Sequence, residues 1–358
     1  MASSLHSAFA WTKSPLIVSA PMLRIARPQL AVSVSRAGGL GFLAAGFDVT
    51  DLEMDLERAA GLVWHSKYPP ITPQTGPRPL LPVGVGFLNW GANLTRSLAT
   101  IGKYTPAAVW LFAAAEPASE NMETWAKEVR SVTNGRTKIW VQVGSVAEAL
   151  EMAQRVRPDT LVVQGSDAGG HGLCQSASVI TLVPEIKDVL SDNGFGDIPL
   201  IAAGGIADGR GLAAAICLGA AGAAMGTRFL ACHEATISKG YQNEVLRVSD
   251  GGVSTVRTTV YDRVRGINKW PQQYDGRGVM NKSFHDAREG MSDEDNRKLY
   301  QEEILKGDEG WGPEGRMTTY AGTGIGLVKD IIPAGDIVEG VSRQAKAILE
   351  CNPDGLSK

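Results

Sequence analysis

Short apolar segments recur along the first two thirds of the chain, separated by segments of helical periodicity. Each run is apolar at nearly every position and rich in β-branched or small residues, which is typical of strands buried on both faces of a parallel sheet. Strands that alternate with helices form right-handed βαβ units, and eight such units close a (β/α)8 TIM barrel. The eight predicted strands are residues 16–20, 39–44, 81–87, 107–112, 138–143, 160–163, 199–203 and 221–226.

The segments between these runs carry the signals of helices. Residues 145–156 begin with Ser145, a good N-cap residue, and Glu148 follows at the position of a capping box. Apolar residues recur along this segment at helical spacing, so that one face of the helix is apolar. The other predicted helices of the barrel are residues 121–132, 179–190 and 208–218.

The alternation stops after residue 230. Residues 231–317 are polar and irregular, and they include the charged stretch 286–306. We expect them to form a second lobe that contains helices. An amphipathic helix from about Ala334 then completes the barrel wall. The predicted fold is therefore a barrel of residues 1–230, completed by residues 318–358, with the lobe inserted before the C-terminal barrel helix.

Composition excludes several classes of protein. The net charge is -3 and no Lys/Arg cluster stands out, which disfavours nucleic-acid binding. The four cysteines contain no CxxC pair, so they indicate neither a zinc site nor a disulfide framework, and they fit a reducing compartment. We find no secretory signal at the start and no apolar run long enough to cross a membrane. These features predict a cytoplasmic protein.

Two consecutive strands end in glycine. Gly204 and Gly205 follow the seventh predicted strand, and Gly226 with Thr227 follows the eighth. TIM barrels often bind phosphate in the loops after these two strands. A glycine exposes its backbone N–H, and the N-terminus of a following helix adds positive partial charge. A lone glycine pair is explained as well by a tight turn, but the two matched pairs favour a phosphate site.

His171 follows Gly169 and Gly170 at a third glycine-rich strand end. This loop lies at the predicted mouth of the barrel, where a histidine can act as a general base because it exchanges protons near neutral pH. The spacing alone is equally compatible with a histidine that only hydrogen-bonds its own loop. No second His or Cys lies at metal-ligand spacing, so we expect no metal.

Three amide side chains stand in or next to apolar strands, where a polar group needs a partner. Gln142 and Gln164 lie within or directly after predicted strands, and Asn89 follows another. Their partners are either a ligand bound at the barrel mouth or the neighbouring backbone.

Taken together, these segments resemble the nitronate monooxygenase family, formerly called 2-nitropropane dioxygenases. The resemblance covers nearly the whole chain, and the order of its motifs is highly specific for the superfamily but less so for the reaction. The matching segments are SAPM at residues 19–22, GGLGFLAAG, PVGVGFLN, VQVGS, VQGSDAGGHG, AAGGIADGRG, MGTRF and YAGTGIGL.

The resemblance implies a TIM barrel with a smaller second α/β lobe on the substrate side and non-covalently bound FMN. It also implies oxidation of nitronates or nitroalkanes by dioxygen to a carbonyl compound and nitrite. His171 matches the position of the family's catalytic base. The small-molecule substrate and dioxygen are the expected partners, and a homodimer is one open arrangement. The cofactor-binding positions implied for the flavin are Ala20, Pro21, Met22, Asn89, Gln142 and Gln164, and those implied for the phosphate are Gly169, Gly170, Gly204, Gly205, Gly226 and Thr227.

Two alternatives remain at this stage. The same barrel supports an FMN-dependent, NAD(P)H-using enoyl reductase or an oxidoreductase of specialised metabolism. The segment GGLGFLAAG only superficially resembles a GxGxxG dinucleotide fingerprint and is better explained as a barrel turn. A non-catalytic flavin-binding module is the second alternative, although His171 and every phosphate-loop position are in place.

Overall fold

The computed structural model describes residue 5 and residues 7–72, 79–115 and 117–351. Eight parallel strands form a closed barrel in which the last strand pairs with the first. Each predicted strand overlaps an observed one, so the predicted TIM barrel is confirmed. The barrel strands are β1 (Leu16–Ser19), β2 (Leu40–Gly46), β3 (Leu81–Leu88), β4 (Pro106–Phe112), β5 (Lys138–Val143), β6 (Thr160–Gln164), β8 (Leu200–Ala203) and β9 (Gly222–Met225), whereas β7 (Gly170–Leu173) lies outside the barrel.

Helices surround the barrel and overlap all four predicted helical segments. Ser145 caps α5 as predicted, because its hydroxyl accepts from the Glu148 N–H at 3.2 Å. The Glu148 carboxylate accepts from the Gly144 N–H at 2.7 Å, one residue before the N–H that a capping box uses. The outer helices are α1 (Pro28–Arg36), α2 (Leu52–Trp64), α3 (Leu94–Tyr104), α4 (Ala118–Thr133), α5 (Val146–Arg155), α6 (Val179–Asp192), α7 (Gly209–Cys217) and the short α8 (Thr227–Leu230).

Aromatic side chains fill the amino-terminal half of the barrel interior. Phe42 lies 5.2 Å from both Trp110 and Trp140, measured between ring centres. Phe9, which precedes β1, is fully buried against Trp140 and closes this end. Burial of each large apolar side chain contributes about 1.5–3 kcal/mol. Glycines and small residues contribute to the lining of the carboxyl end, beside Trp110 and other aromatic side chains, and this is the end that carries the cavity described below.

The second lobe contains a small antiparallel sheet that the sequence did not locate. Its strands are β10 (Thr255–Thr258), β11 (Tyr274–Val279) and β7, in the order β10-β11-β7. Because β7 follows β6 in the chain, the barrel segment itself supplies one edge of this sheet. The lobe boundaries at residues 230 and 317 stay a prediction. The helices of this region are α9 (Lys239–Arg247), α10 (Gly251–Ser254), α11 (Val260–Arg265), α12 (Lys282–Arg288) and α13 (Asp293–Ile304), with 3-10 turns at Gly307–Gly310 and Thr323–Leu327.

The last helix, α14 (Ala334–Glu350), begins at the residue where the sequence predicts it. It packs against α7 and α1, and Gln344 accepts a hydrogen bond from the Gly209 N–H at 2.7 Å. The C-terminal segment therefore completes the outer wall beside the glycine-rich strand ends. In the part of the chain that the structure describes, no helix has the length and apolar character needed to cross a membrane.

Candidate active site

One cavity of about 450 Å³ opens at the carboxyl ends of the barrel strands. The parallel register aligns these ends, with Gln164 opposite Ala203 and Ser19 opposite Met225. Asn89 is the one predicted site residue that does not line the cavity. The predicted residues that do are Ala20, Pro21, Met22, Gln142, Gln164, Gly169, Gly170, His171, Gly204, Gly205, Gly226 and Thr227.

The glycine-rich loops meet at one side of this cavity. Gly204 has a φ of +115°, and a Cβ there would lie 2.9 Å from the Ala168 backbone nitrogen, so only glycine fits without strain. The hydroxyl of Thr227 accepts from the Gly322 N–H at 3.0 Å, which ties the loop after β9 to the chain that returns from the lobe. Glycines from three strand-end loops thus line one cavity.

Helix N-termini contribute less to this space than the sequence predicts. Asp208 caps α7, and its carboxylate already accepts from the N–H groups of Arg210 and Gly211 at 2.9 and 3.2 Å. The helix after β9 is the single turn Thr227–Leu230, and a helix dipole grows with the number of aligned peptide units. An anion here would therefore depend on the loop backbone itself.

The three predicted amides are placed differently. Gln142 accepts from Trp110 Nε1 at 3.0 Å, and its own Nε2 is buried at the cavity without a partner among the described residues. Gln164 donates to the carbonyl of His171 at 3.1 Å. Asn89 is buried and accepts from the Phe112 N–H at 2.9 Å, joining the ends of β3 and β4. Its contact with a ligand stays a prediction.

The residues present fit a flavin. A buried donor without a partner, such as Gln142 Nε2, costs free energy unless a ligand accepts its hydrogen bond. The wall at the end of β1 is apolar, and the glycine loops expose N–H groups that suit a phosphate. An aromatic ring with polar edges, joined to a phosphate, matches this combination.

His171 lies on β7 at the cavity and is paired with Asp262 of the second lobe. Its Nε2 is 2.8 Å from Asp262 Oδ2, and the two side chains are 11% and 7% exposed. The structure describes no hydrogen bond to the other ring nitrogen, Nδ1. A carboxylate that accepts from Nε2–H leaves Nδ1 as the basic nitrogen of the ring.

Two aromatic side chains fix this pair. The hydroxyl of Tyr320 donates to Asp262 Oδ1 at 3.0 Å, and the Trp270 ring stacks on the His171 ring at 3.7 Å with an angle of 5°. Burial, and then the neighbouring Asp262, raise the pKa of the Tyr320 phenol far above its ordinary value. Tyr320 is therefore a neutral hydrogen-bond donor at any ordinary pH.

A glycine in the small sheet makes room for this cluster. His171 is the register partner of Gly276 on the antiparallel strand β11. A Cβ at position 276 would lie 2.7 Å from Tyr320 Cε1 and 3.5 Å from His171 Nε2. Strand β11 can therefore pass directly beneath the histidine, aspartate and tyrosine side chains.

Sequence reasoning missed Asp262, Tyr320 and Trp270. One signal for Asp262 was present, because α11 carries the charged residue among the buried side chains of Val260 and Tyr261. A charge on the apolar face of a helix needs a partner. The sequence could not show that this partner lies 91 residues earlier.

Solved structures share this architecture. Nitroalkane oxidase of Streptomyces ansochromogenes superposes with a TM-score of 0.71 at 22% identity, covering 96% of this chain and 98% of that one. FabK of Thermotoga maritima superposes with a TM-score of 0.71 at 24% identity, covering 97% of this chain and 96% of that one. At these identities the likeness establishes the fold alone.

Fold, cavity and relatives together define a flavin-dependent oxidoreductase that acts on a small molecule. The sequence profile described as nitronate monooxygenase matches residues 88–343. Nitronate monooxygenase npaC of Metarhizium robertsii is 48% identical, over 97% of this chain and 95% of its own length. A nitronate monooxygenase of Neurospora crassa is 36% identical, over 96% and 92%. The chain belongs to the nitronate monooxygenase family, and the resemblance seen in the sequence is confirmed.

Proposed function

We propose that this protein is an FMN-dependent nitronate monooxygenase that oxidises nitronates and nitroalkanes with dioxygen, and that His171 is its general base. One observation carries the proposal. His171 lies at the cavity formed by the glycine-rich strand ends, and Asp262 holds its Nε2 at 2.8 Å. The names of the Metarhizium and Neurospora relatives support the substrate class.

The cavity supports FMN as the flavin because Gln142 Nε2 has no partner among the described residues and glycine-rich loops line the same cavity. The ring would lie against Ala20, Pro21 and Met22, within reach of Gln142 and with Gln164 near the ribityl chain. When bound, the flavin accepts electrons from the substrate and passes them to dioxygen. The residues that would hold the phosphate are Gly169, Gly170, Gly204, Gly205, Gly226 and Thr227.

The proton of a neutral nitroalkane would go to His171. Asp262 engages Nε2, so Nδ1 is the nitrogen that takes the proton from the carbon next to the nitro group. The imidazole becomes a cation as it does so, and the adjacent carboxylate stabilises that cation. Trp270 keeps the ring plane fixed by stacking. Asp262 and Trp270 are therefore positioning residues for His171.

The overall reaction balances without a further reactant. Two nitronate anions and one dioxygen give two carbonyl molecules and two nitrite anions, which conserves atoms and charge. A pre-formed nitronate has already lost this proton, so its oxidation requires binding in the cavity but no general base. The two kinds of substrate thus separate the role of His171 from that of the rest of the site.

The test is nitrite release in air by the FMN-loaded protein from ethyl nitronate and from nitroethane, with His171→Asn alongside. We expect the wild type to use both, and the variant to lose about a hundredfold or more on nitroethane, the usual contribution of a general base. An FMN-bearing wild type that releases no nitrite from any alkyl nitronate, and whose flavin is bleached by NADH or NADPH, would instead establish the reductase alternative.

A further inference from the structure

Arg265, at the end of α11, lines the cavity without a salt bridge. Among the described residues, no carboxylate oxygen lies within salt-bridge distance of its guanidinium. Two other arginines with little exposure are paired with aspartates. Arg228 lies 2.6 Å from Asp330, and Arg257 lies 2.9 Å from Asp275. Arg265 therefore brings a charge into the cavity that the protein has not directly neutralised.

Phenol side chains surround this charge. The Arg265 guanidinium carbon lies 5.5 Å from the centre of the Tyr320 ring, and Tyr241 and Tyr300 line the same cavity. Burial raises the pKa of Tyr241 and that of Tyr320 far above the ordinary value, so neither phenol becomes a counter-anion. The carboxylate that acts on Arg265 from a distance is Asp262, which is hydrogen-bonded to His171 and Tyr320.

These positions bring His171 and Arg265 to one aromatic ring, that of Tyr320. The His171 ring centre lies 5.3 Å from the Tyr320 ring centre, and Arg265 lies over the same ring. Removal of a proton from a neutral nitroalkane creates a cation on His171 and an anion on the substrate. Asp262 already lies beside the first, so a second, positive group is needed for the anion.

We propose that Arg265 is the anion receptor of this cavity and binds the two oxygens of the nitro group. The O–N–O unit of a nitronate is planar and has the same fork shape as a carboxylate, which a guanidinium binds through two parallel hydrogen bonds. The Arg265 guanidinium then stabilises the negative charge that forms on the nitro group when the proton leaves. This assignment rests on the proposed function for the identity of the anion.

The primary experiment uses nitrate, a planar oxyanion with the same O–N–O geometry, as a probe of the FMN-loaded protein. Nitrate is titrated into the wild type, Arg265→Met and Arg265→Lys while the visible flavin spectrum is recorded. Arg263→Met is the matched control, because Arg263 lies on the same helix and pairs with Asp293 at the surface at 3.0 Å. FMN content and melting temperature report whether each variant keeps its cavity.

We expect Arg265→Met to weaken nitrate binding by about tenfold or more, a factor equivalent to about 1.4 kcal/mol. Arg265→Lys keeps the positive charge but loses the forked pair of donors, so its nitrate affinity should lie between those of the wild type and Arg265→Met. This variant also tests the assignment if Arg265→Met does not fold. With ethyl nitronate the loss should appear as a higher KM rather than a lower kcat. Unchanged nitrate affinity in either variant would overturn the assignment.

The two proposals fail separately. If the wild type oxidises nitronates and Arg265→Met binds nitrate as the wild type does, the receptor assignment alone is wrong. If the wild type oxidises no nitronate and nitrate binding still depends on Arg265, the anion site stands and the proposed substrate is wrong.

Discussion

Asp262→Asn isolates the contribution of the carboxylate to proton removal. The asparagine keeps the shape of the side chain and the oxygen near Tyr320, but it removes the charge 2.8 Å from His171 Nε2. A hydrogen bond to a charged group contributes about 1.5–3 kcal/mol. Because both side chains are largely buried, solvent weakens this interaction little. Each 1.36 kcal/mol changes a rate about tenfold, so kcat/KM for nitroethane should fall by about 10- to 150-fold.

The same variant should behave differently with a pre-formed nitronate. No proton has to be removed from ethyl nitronate, so the missing carboxylate is not needed to stabilise an imidazolium. Loss of a negative charge near the cavity also favours binding of an anion. We therefore expect kcat/KM for ethyl nitronate to be unchanged or higher in Asp262→Asn.

The assay is nitrite release from both substrates by wild type, Asp262→Asn and Asp293→Asn at one pH. Asp293→Asn is the control for loss of a carboxylate, because Asp293 pairs with Arg263 at the surface and is 61% exposed. Equal losses on nitroethane and on ethyl nitronate in Asp262→Asn would refute a role in proton removal, and so would the absence of any loss on nitroethane.

Three further results are expected. Tyr320→Phe removes one hydrogen bond to Asp262 but leaves the charge of the Asp262 carboxylate in place. We therefore expect kcat/KM for nitroethane in the nitrite assay to fall only about 2- to 10-fold. A loss as large as that of Asp262→Asn would contradict this expectation. Gly204→Ala places a side chain at a φ of +115° and should lower the melting temperature of the apoprotein. In Gly226→Ala the new Cβ meets no atom closer than 3.7 Å, so the melting temperature should stay unchanged while the FMN affinity measured by titration falls. Equal melting temperatures in the two variants would contradict the loop geometry. Burial, and then the nearby Glu234, raise the pKa of the Cys232 thiol to about 12, so mass spectrometry after iodoacetamide treatment at pH 8 should find Cys217 modified and Cys232 intact in the folded protein.

The barrel could be predicted because its strands are buried on both faces. A run such as residues 107–112 is apolar throughout, and the structure places β4 at Pro106–Phe112. The glycines after β8 and β9 could also be predicted as part of a ligand site. A ligand can approach the backbone closely only where no side chain lies in the way, which favours glycine at these strand ends. These signals are local, and each can be recognised within about ten residues of sequence.

The small sheet and the partners of His171 depend on long-range pairing instead. The strand β7 has the sequence GHGL, which carries no alternation of apolar and polar residues, and it pairs with β11 about a hundred positions later. Asp262 and Arg265 lie three positions apart on the short helix α11, and nothing local in the sequence identifies their partners. Only the folded lobe shows that Asp262 contacts His171 and that Arg265 lines the cavity.

We propose that this cavity holds FMN and that the bound FMN accepts electrons from a nitronate. The most direct measurement is the visible spectrum of the FMN-loaded protein in the absence of oxygen, recorded before and after ethyl nitronate is added. We predict rapid loss of the oxidised-flavin absorbance, followed by its return with nitrite release when air is admitted. An oxidised-flavin spectrum that ethyl nitronate leaves unchanged would contradict the claim.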